Sequence, residues 1–172
     1  MSAFLLSAFK TQEEVNFPEQ INWDTHFLAT PDYNSPYFAI TATTWHYSYA
    51  ATINRNNLHI DFKFSAGVDP NRSWVKLNKL QNADTKRKLL RHEQGHVNIN
   101  FLLLKDGENK IRYQPYTLKN YKRLIQQNAN KISAYYSNMQ DRYDTETKHG
   151  SDVEKQKKWD NWIDLELKKY LN

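Results

Sequence analysis

Apolar and polar residues alternate in a period of two along the first third of the chain, and the rest carries helical spacing. Leu58, Ile60, Phe62 and Phe64 alternate with His59, Asp61, Lys63 and Ser65, the pattern of a half-buried strand. A second strand is expected from Phe38 to Ala50, with Trp45, Tyr47 and Tyr49 on one face. The run Asn54-Arg55-Asn56-Asn57 supplies turn residues, so the two strands should form an antiparallel hairpin. A third strand is expected near Ile21 to Leu28, with loops around Pro31, Asn34 and Pro36 and again from Gly67 to Asn71, before Ser73-Trp74-Val75.

The helical part opens with a segment from Asp84 to about Leu104, apolar at Leu89, Leu90, Val97, Leu103 and Leu104, with Asp84 as its cap and Gly107 as its stop. After a break near Asp106-Gly107 and Pro115, a helix is expected from about Leu118 to Asp141, with Tyr121, Leu124, Ile125, Ile132 and Tyr136 facing inward. The last helix should begin at a capping box, Ser151 and Glu154, and run through Trp159, Trp162, Ile163 and Leu167 to the end. Strands first and helices after predict an α+β fold in which a small antiparallel N-terminal sheet packs on C-terminal helices.

Composition narrows this picture. A length of 172 residues is that of one ordinary domain, 1–172, able to bury a core without staples. With 11 tyrosines and 5 tryptophans, that core and any groove should be rich in rings. Cysteine is absent, which removes disulfides, thiolate ligands and cysteine nucleophiles and leaves His, Asp and Glu to bind a metal. The net charge is +5, but the basic residues are spread over the helices and read as solvated faces. Lys119 to Arg123 is a weak basic stripe, and no nucleic-acid partner is expected. No segment approaches the ~18 apolar residues of a membrane span. Within residues 1–15, the apolar run from Ala3 to Phe9 reads as the end of an export signal or as an ordinary first strand or frayed terminus.

The chemistry sits at His92-Glu93-Gln94-Gly95-His96. Residues four apart lie on one helix face about 6 Å along the axis, so His92 and His96 can ligate one ion while Glu93 takes a proton from metal-bound water. Gly95 is out of place, since glycine costs a helix interior about 1 kcal/mol against alanine; another segment or a ligand should approach it closely. A catalytic zinc ion needs a third protein ligand. The segment from Tyr143 to Asp152 offers His149, Glu146, Asp144 and Asp152, of which His149, in a tight turn, is the preferred candidate. Tyr143 is a candidate hydrogen-bond donor to an oxyanion, with packing as its bland alternative. His26, His46 and His59 lack ligand spacing, and Trp74 either packs behind the helix or lines the groove.

Ser73-Trp74-Val75, Leu90-Arg91-His92-Glu93-Gln94-Gly95-His96, Tyr143-Asp144, Thr147, His149-Gly150, Gln156 and Trp159 together resemble the bacterial family called domain of unknown function 922, whose members are described as secreted zinc-dependent proteases. The resemblance covers most of the chain. It implies a zincin-like fold with HExxH on the first long helix, one zinc ion on His92, His96 and His149, Glu93 as catalytic residue, a peptide or protein substrate, and export, with a cytoplasmic location left open. The rival expectation is a metal- or peptide-binding module of the same fold without turnover. Oligomeric state is left open.

Overall fold

The computed structural model describes residues 17–170, so the expectations for residues 1–15 lie outside the described residues. The elements are α1 (Trp23–His26), β1 (Ala39–Ile40), β2 (Thr43–Asn54), β3 (Asn57–Val68), β4 (Trp74–Val75), α2 (Ala83–Arg112), α3 (Tyr121–Thr147) and α4 (Val153–Leu167). Among the described residues the fold is α+β, with two small antiparallel sheets, β1–β4 and β2–β3, and four α-helices.

The β2–β3 hairpin follows the alternation. Asn54 pairs with Asn57, leaving Arg55 and Asn56 in the tight turn at φ 54° and 119°, the left-handed values a two-residue hairpin requires. Tyr49 pairs with Phe62, Tyr47 with Phe64 and Trp45 with Ala66, so the rings of both strands share the face that packs on the helices. The strand expected from Phe38 to Ala50 is interrupted at residues 41–42. There Ala42 donates its N–H to the Ser73 hydroxyl (2.9 Å) and accepts from Asp69 (2.8 Å), and the preceding residues pair with β4 instead. No strand forms at Ile21 to Leu28. Asn22 accepts from the N–H groups of Asp24 and Thr25 (both 3.0 Å) and turns the chain into α1, a local cap that outcompetes an extended form.

Helix α2 is the axis of the molecule, about 45 Å long at 1.5 Å per residue. Its cap is Asn82, which accepts from the Thr85 N–H (2.9 Å); Asp84 lies inside the first turn, paired with Arg87 and Lys88. Gly107 does not stop the helix. It is buried beneath Trp45, whose Cζ2 would lie 3.0 Å from an added Cβ, so close packing against β2 is what the glycine serves. The helix runs on to Arg112, shortly before Pro115. Helix α3 likewise extends past Asp141 to Thr147. Helix α4 is capped by Asp152, which accepts from the Lys155 N–H (3.0 Å), while Ser151 turns back to the Lys148 carbonyl (2.7 Å); the helix ends at Leu167.

Two apolar clusters hold α2 in place. The larger joins Phe62 and Phe64 of β3 to Ile99, Leu102 and Ile111 of α2, Ile125 and Ile132 of α3, and Ile163 of α4. The smaller joins Ile21, Phe27, Ala39, Val75 and Leu80 to Val97. The first half of α2 therefore passes between β1 on one side and the α3–α4 turn on the other. Among the described residues no helix is long and apolar enough to cross a membrane.

Candidate metal centre

One turn apart on α2, the imidazoles of His92 and His96 stand edge to face with centroids 4.9 Å apart. Both aim Nε2 at a single atom, Oδ1 of Asp144, at 3.0 Å and 2.9 Å. Nδ1 of His149 faces the same oxygen at 3.4 Å. Ligand atoms of His92, Asp144 and His149 all lie within 4.8 Å of one another, close enough to hold a metal ion together. In a tetrahedral site with bonds of about 2.0–2.1 Å, neighbouring donors lie roughly 3.3–3.4 Å apart, which the nitrogen–oxygen separations here approach.

The far side of each ring decides what the near side carries. Gln156 gives its Nε2 to the Asp160 carboxylate (2.7 Å), which accepts only, so its Oε1 faces His92 Nδ1 at 3.1 Å. Gln140 gives its Nε2 to the His96 backbone carbonyl (3.0 Å), so its Oε1 faces His96 Nδ1 at 2.6 Å. An amide oxygen accepts, so a ring that turns its Nε2 lone pair to a metal keeps its proton on Nδ1, while without a metal the Asp144 oxygen competes for that proton at Nε2. With the protons so placed, two imidazole lone pairs and a carboxylate oxygen meet in one small volume. In that arrangement a cation, either a proton or a metal ion, relieves the crowding. Burial opposes a charge on His96, but the Asp144 hydrogen bond and the charges of Glu93 and Asp144 outweigh it and hold His96 above its ordinary value. Burial likewise pushes Asp144 up, yet its bonds to His92 and His96 prevail and keep it well below the usual carboxylate range.

The third histidine reaches this point through an unusual turn. Lys148, His149 and Gly150 follow α3 at φ 50°, 51° and 80°, three left-handed residues in succession. Such a turn reverses the chain into α4 at once, with Asp152 N–H bonded to Thr147 O (2.8 Å). The buried Thr147 hydroxyl joins α3 to the turn, donating to Tyr143 O (2.6 Å) and accepting from Gly150 N–H (3.3 Å). Gly150 lies against His92, whose Cβ would be 2.8 Å from an added methyl. The His149 ring packs on Tyr37, centroids 4.4 Å apart, and stays half exposed.

Tyr143 is placed beneath the cluster rather than beside an open position. It is fully buried, stacks on His92 at 4.7 Å, donates to the His92 carbonyl (2.9 Å) and accepts from Gln156 (2.7 Å). Burial pushes its phenol far up, with the Gln156 bond opposing. This ring is also what approaches Gly95, where a Cβ would overlap the phenol oxygen. Glu93 is buried on the β1 side and accepts from the Thr41 hydroxyl (2.6 Å). Glu146 turns away to Trp159 and Arg142, and Asp152 caps α4, so neither joins the cluster. His26 and His59 pair with Glu19 and Asp61, and His46 is exposed on β2. Trp74 pairs with Ile40 and lies under the Lys76 ammonium (5.3 Å).

Gln140, Thr41 and Tyr37 escaped the sequence reading. For Gln140 a signal existed: Gln140, Tyr143, Asp144 and Thr147 follow i, i+3, i+4, i+7 spacing, one face of a helix, once α3 is known to continue past Asp141.

A family model described as bacterial protein of unknown function (DUF922) matches residues 25–150. The chain belongs to this family. The matched span holds His92, Asp144 and His149, the mutually close set, together with His96, Thr41, Glu93, Gln140 and Tyr143, and ends at Gly150. Its description names no activity. No curated protein and no solved structure matches the chain.

Proposed function

We propose that this protein is a zinc-dependent hydrolase of peptide bonds, zincin-like in placing both histidines and the glutamate of HExxH on one helix. The observation that carries the reading is the meeting of His92 Nε2 and His96 Nε2 at Asp144 Oδ1, with His149 at the rim. Imidazole and carboxylate donors at these separations suit zinc. His92, His96 and His149 would hold the ion, with Asp144 as a fourth donor or as the partner that keeps the imidazoles aligned. When bound, zinc supplies a Lewis acid and a water acidic enough to lose a proton near neutral pH.

Glu93 is the proton carrier. Thr41 engages Oε2, which leaves Oε1 to take a proton from a nucleophilic water and return it to the leaving amine. Tyr37 just before β1 packs on His149 and Thr41 just after it bonds Glu93, so a substrate chain laid along this short strand would pass over the cluster. Tyr143 acts as packing: it fixes His92 from below. Export from the cell accompanies this reading through the family resemblance, and secretion of the full-length protein from its host, followed by fractionation, tests it.

A non-catalytic metal-binding module is the second reading, and one observation favours it. His92, Asp144 and His149 form a mutually close set that His96 meets at Asp144 Oδ1, so four protein donors, the number of a closed structural zinc site, are within reach. The test is Glu93→Gln in protein loaded with one equivalent of zinc, assayed on a library of unstructured peptides. Hydrolysis by the parent with loss in the variant, at equal zinc content, supports the hydrolase. Zinc bound at one per chain without cleavage by either protein sinks it and leaves the module.

A further inference from the structure

Each ring at the cluster is clamped on its far nitrogen by a neutral amide, and the two clamps differ in what stands behind them. Gln156 is held by Asp160, and Asp160 pairs with Arg91, so a chain of polar contacts runs from the exposed guanidinium to His92 Nδ1. Gln156 also donates to the Tyr143 hydroxyl (2.7 Å), so the same amide sets the ring beneath His92. Gln140 is held by the His96 backbone carbonyl, which ties the clamp to the helix it serves. Neither clamp carries a formal charge itself.

We infer that Gln140 and Gln156 are the positioning residues of the metal site: by accepting at Nδ1, against the pull of Asp144 at Nε2, they orient the His96 and His92 rings and favour the tautomer that leaves both Nε2 lone pairs to one ion. Three facts support this beyond proximity. The orientation of each amide is dictated by an acceptor-only partner on its nitrogen, the Asp160 carboxylate or the His96 carbonyl, so the oxygen has no choice but to face the ring. Gln156 and His92 are both almost fully buried, so water does not substitute for the missing acceptor when the amide is removed. The two glutamines come from different helices, α3 and α4, so the α3–α4 turn that delivers His149 also sets the distance between the clamps. A neutral amide donates less electron density through the imidazole than a carboxylate does, leaving more positive charge on the bound ion. That suits an ion whose task is to acidify water, and Asp144 supplies the compensating charge.

This inference rests on the metal-site reading, but it is separable from it in the test. The metal-free protein is examined by long-range proton–nitrogen NMR at a pH where the rings are neutral, and Zn²⁺ and Co²⁺ affinities are measured by competition with a chromophoric chelator. The proteins are the parent, Gln140→Met, Gln140→Glu and Gln156→Met, with thermal unfolding followed for each. The expected spectra show Nδ1–H tautomers for both His92 and His96 in the parent. Gln140→Met and Gln156→Met should each bind metal about 10–100-fold more weakly. Gln140→Glu, which keeps the acceptor, should stay near the parent. Nε2–H tautomers in the parent would overturn the inference whatever the metal does, as would methionine variants that fold and bind within about threefold of the parent. A parent that binds neither ion yet shows both Nδ1–H tautomers would remove the metalloenzyme reading and leave the clamps standing.

Discussion

At the residue scale the candidate site depends on two glycines and one carboxylate. Gly95 faces the Tyr143 phenol and Gly150 faces His92, the latter also at a positive φ. Gly95→Ala therefore inserts a methyl where none fits and should cost about 1–3 kcal/mol in urea unfolding, with larger values if Tyr143 does not shift. Because Tyr143 is bonded to the His92 carbonyl, metal affinity should fall along with stability. Glu93→Gln tests the chemistry separately. It keeps the shape, so zinc content should be unchanged, while kcat for any peptide substrate should fall by about 10²–10⁴-fold. Gly95 was legible as a close-approach position from its bare presence between two histidines. What approached it was not, because the contact joins residues 48 positions apart and leaves no local pattern.

At the scale of elements, ends were harder to read than faces. Asp84 looked like the cap of α2 because it precedes a charged helical turn, but Asn82 has the extended backbone and the bond to Thr85. Asn82→Ala should accordingly lower stability by about 1 kcal/mol, and Asp84→Ala should cost less, as chemical denaturation of both variants would report. Gly107 looked like a stop because glycine ends helices more often than it sits inside them. Here the indole of Trp45 needs the space, and that need comes from β2, far off in sequence. The hairpin, by contrast, was readable because its alternation and its turn residues are both local. The three-residue left-handed turn explains why His149 was visible as a candidate and Asp144 less so. A histidine beside a glycine stands out in a sequence, whereas Asp144 belongs to a helix whose last turn lacked a marker.

At the scale of the whole molecule, one ion would bridge α2, α3 and the turn into α4. Metal at a hundred times its dissociation constant should add about 2.7 kcal/mol to unfolding, a rise of roughly 5–10 °C for a chain of this size, and a chelator should reverse it. Far from the cluster, Asp106 of α2 binds the Tyr170 hydroxyl and Lys110. Burial raises its pKa, but the bonds to Tyr170 and Lys110 prevail and hold it below its ordinary value. A depressed carboxylate adds stability above its unfolded value, near 3.9, and loses it as pH falls through the lower folded value. Acid unfolding followed by far-ultraviolet circular dichroism should therefore show a shallower decline for Asp106→Asn than for the parent below about pH 4. The general architecture, sheet first and helices after, was legible because hydrophobic period reports on burial directly. How the elements meet was not, since that is fixed by individual close contacts such as Trp45 of β2 on Gly107 and Tyr143 of α3 on Gly95.

The donor cluster of imidazoles and one carboxylate has a consequence for where such a centre can operate. Thiolate ligands are lost to oxidation, first as sulfenic acid and then irreversibly. With no cysteine in the chain, none of the atoms that converge on Asp144 Oδ1 can be consumed in this way. The centre would tolerate peroxide and disulfide-forming surroundings as readily as reducing ones, and its vulnerability would lie in acid and chelators instead.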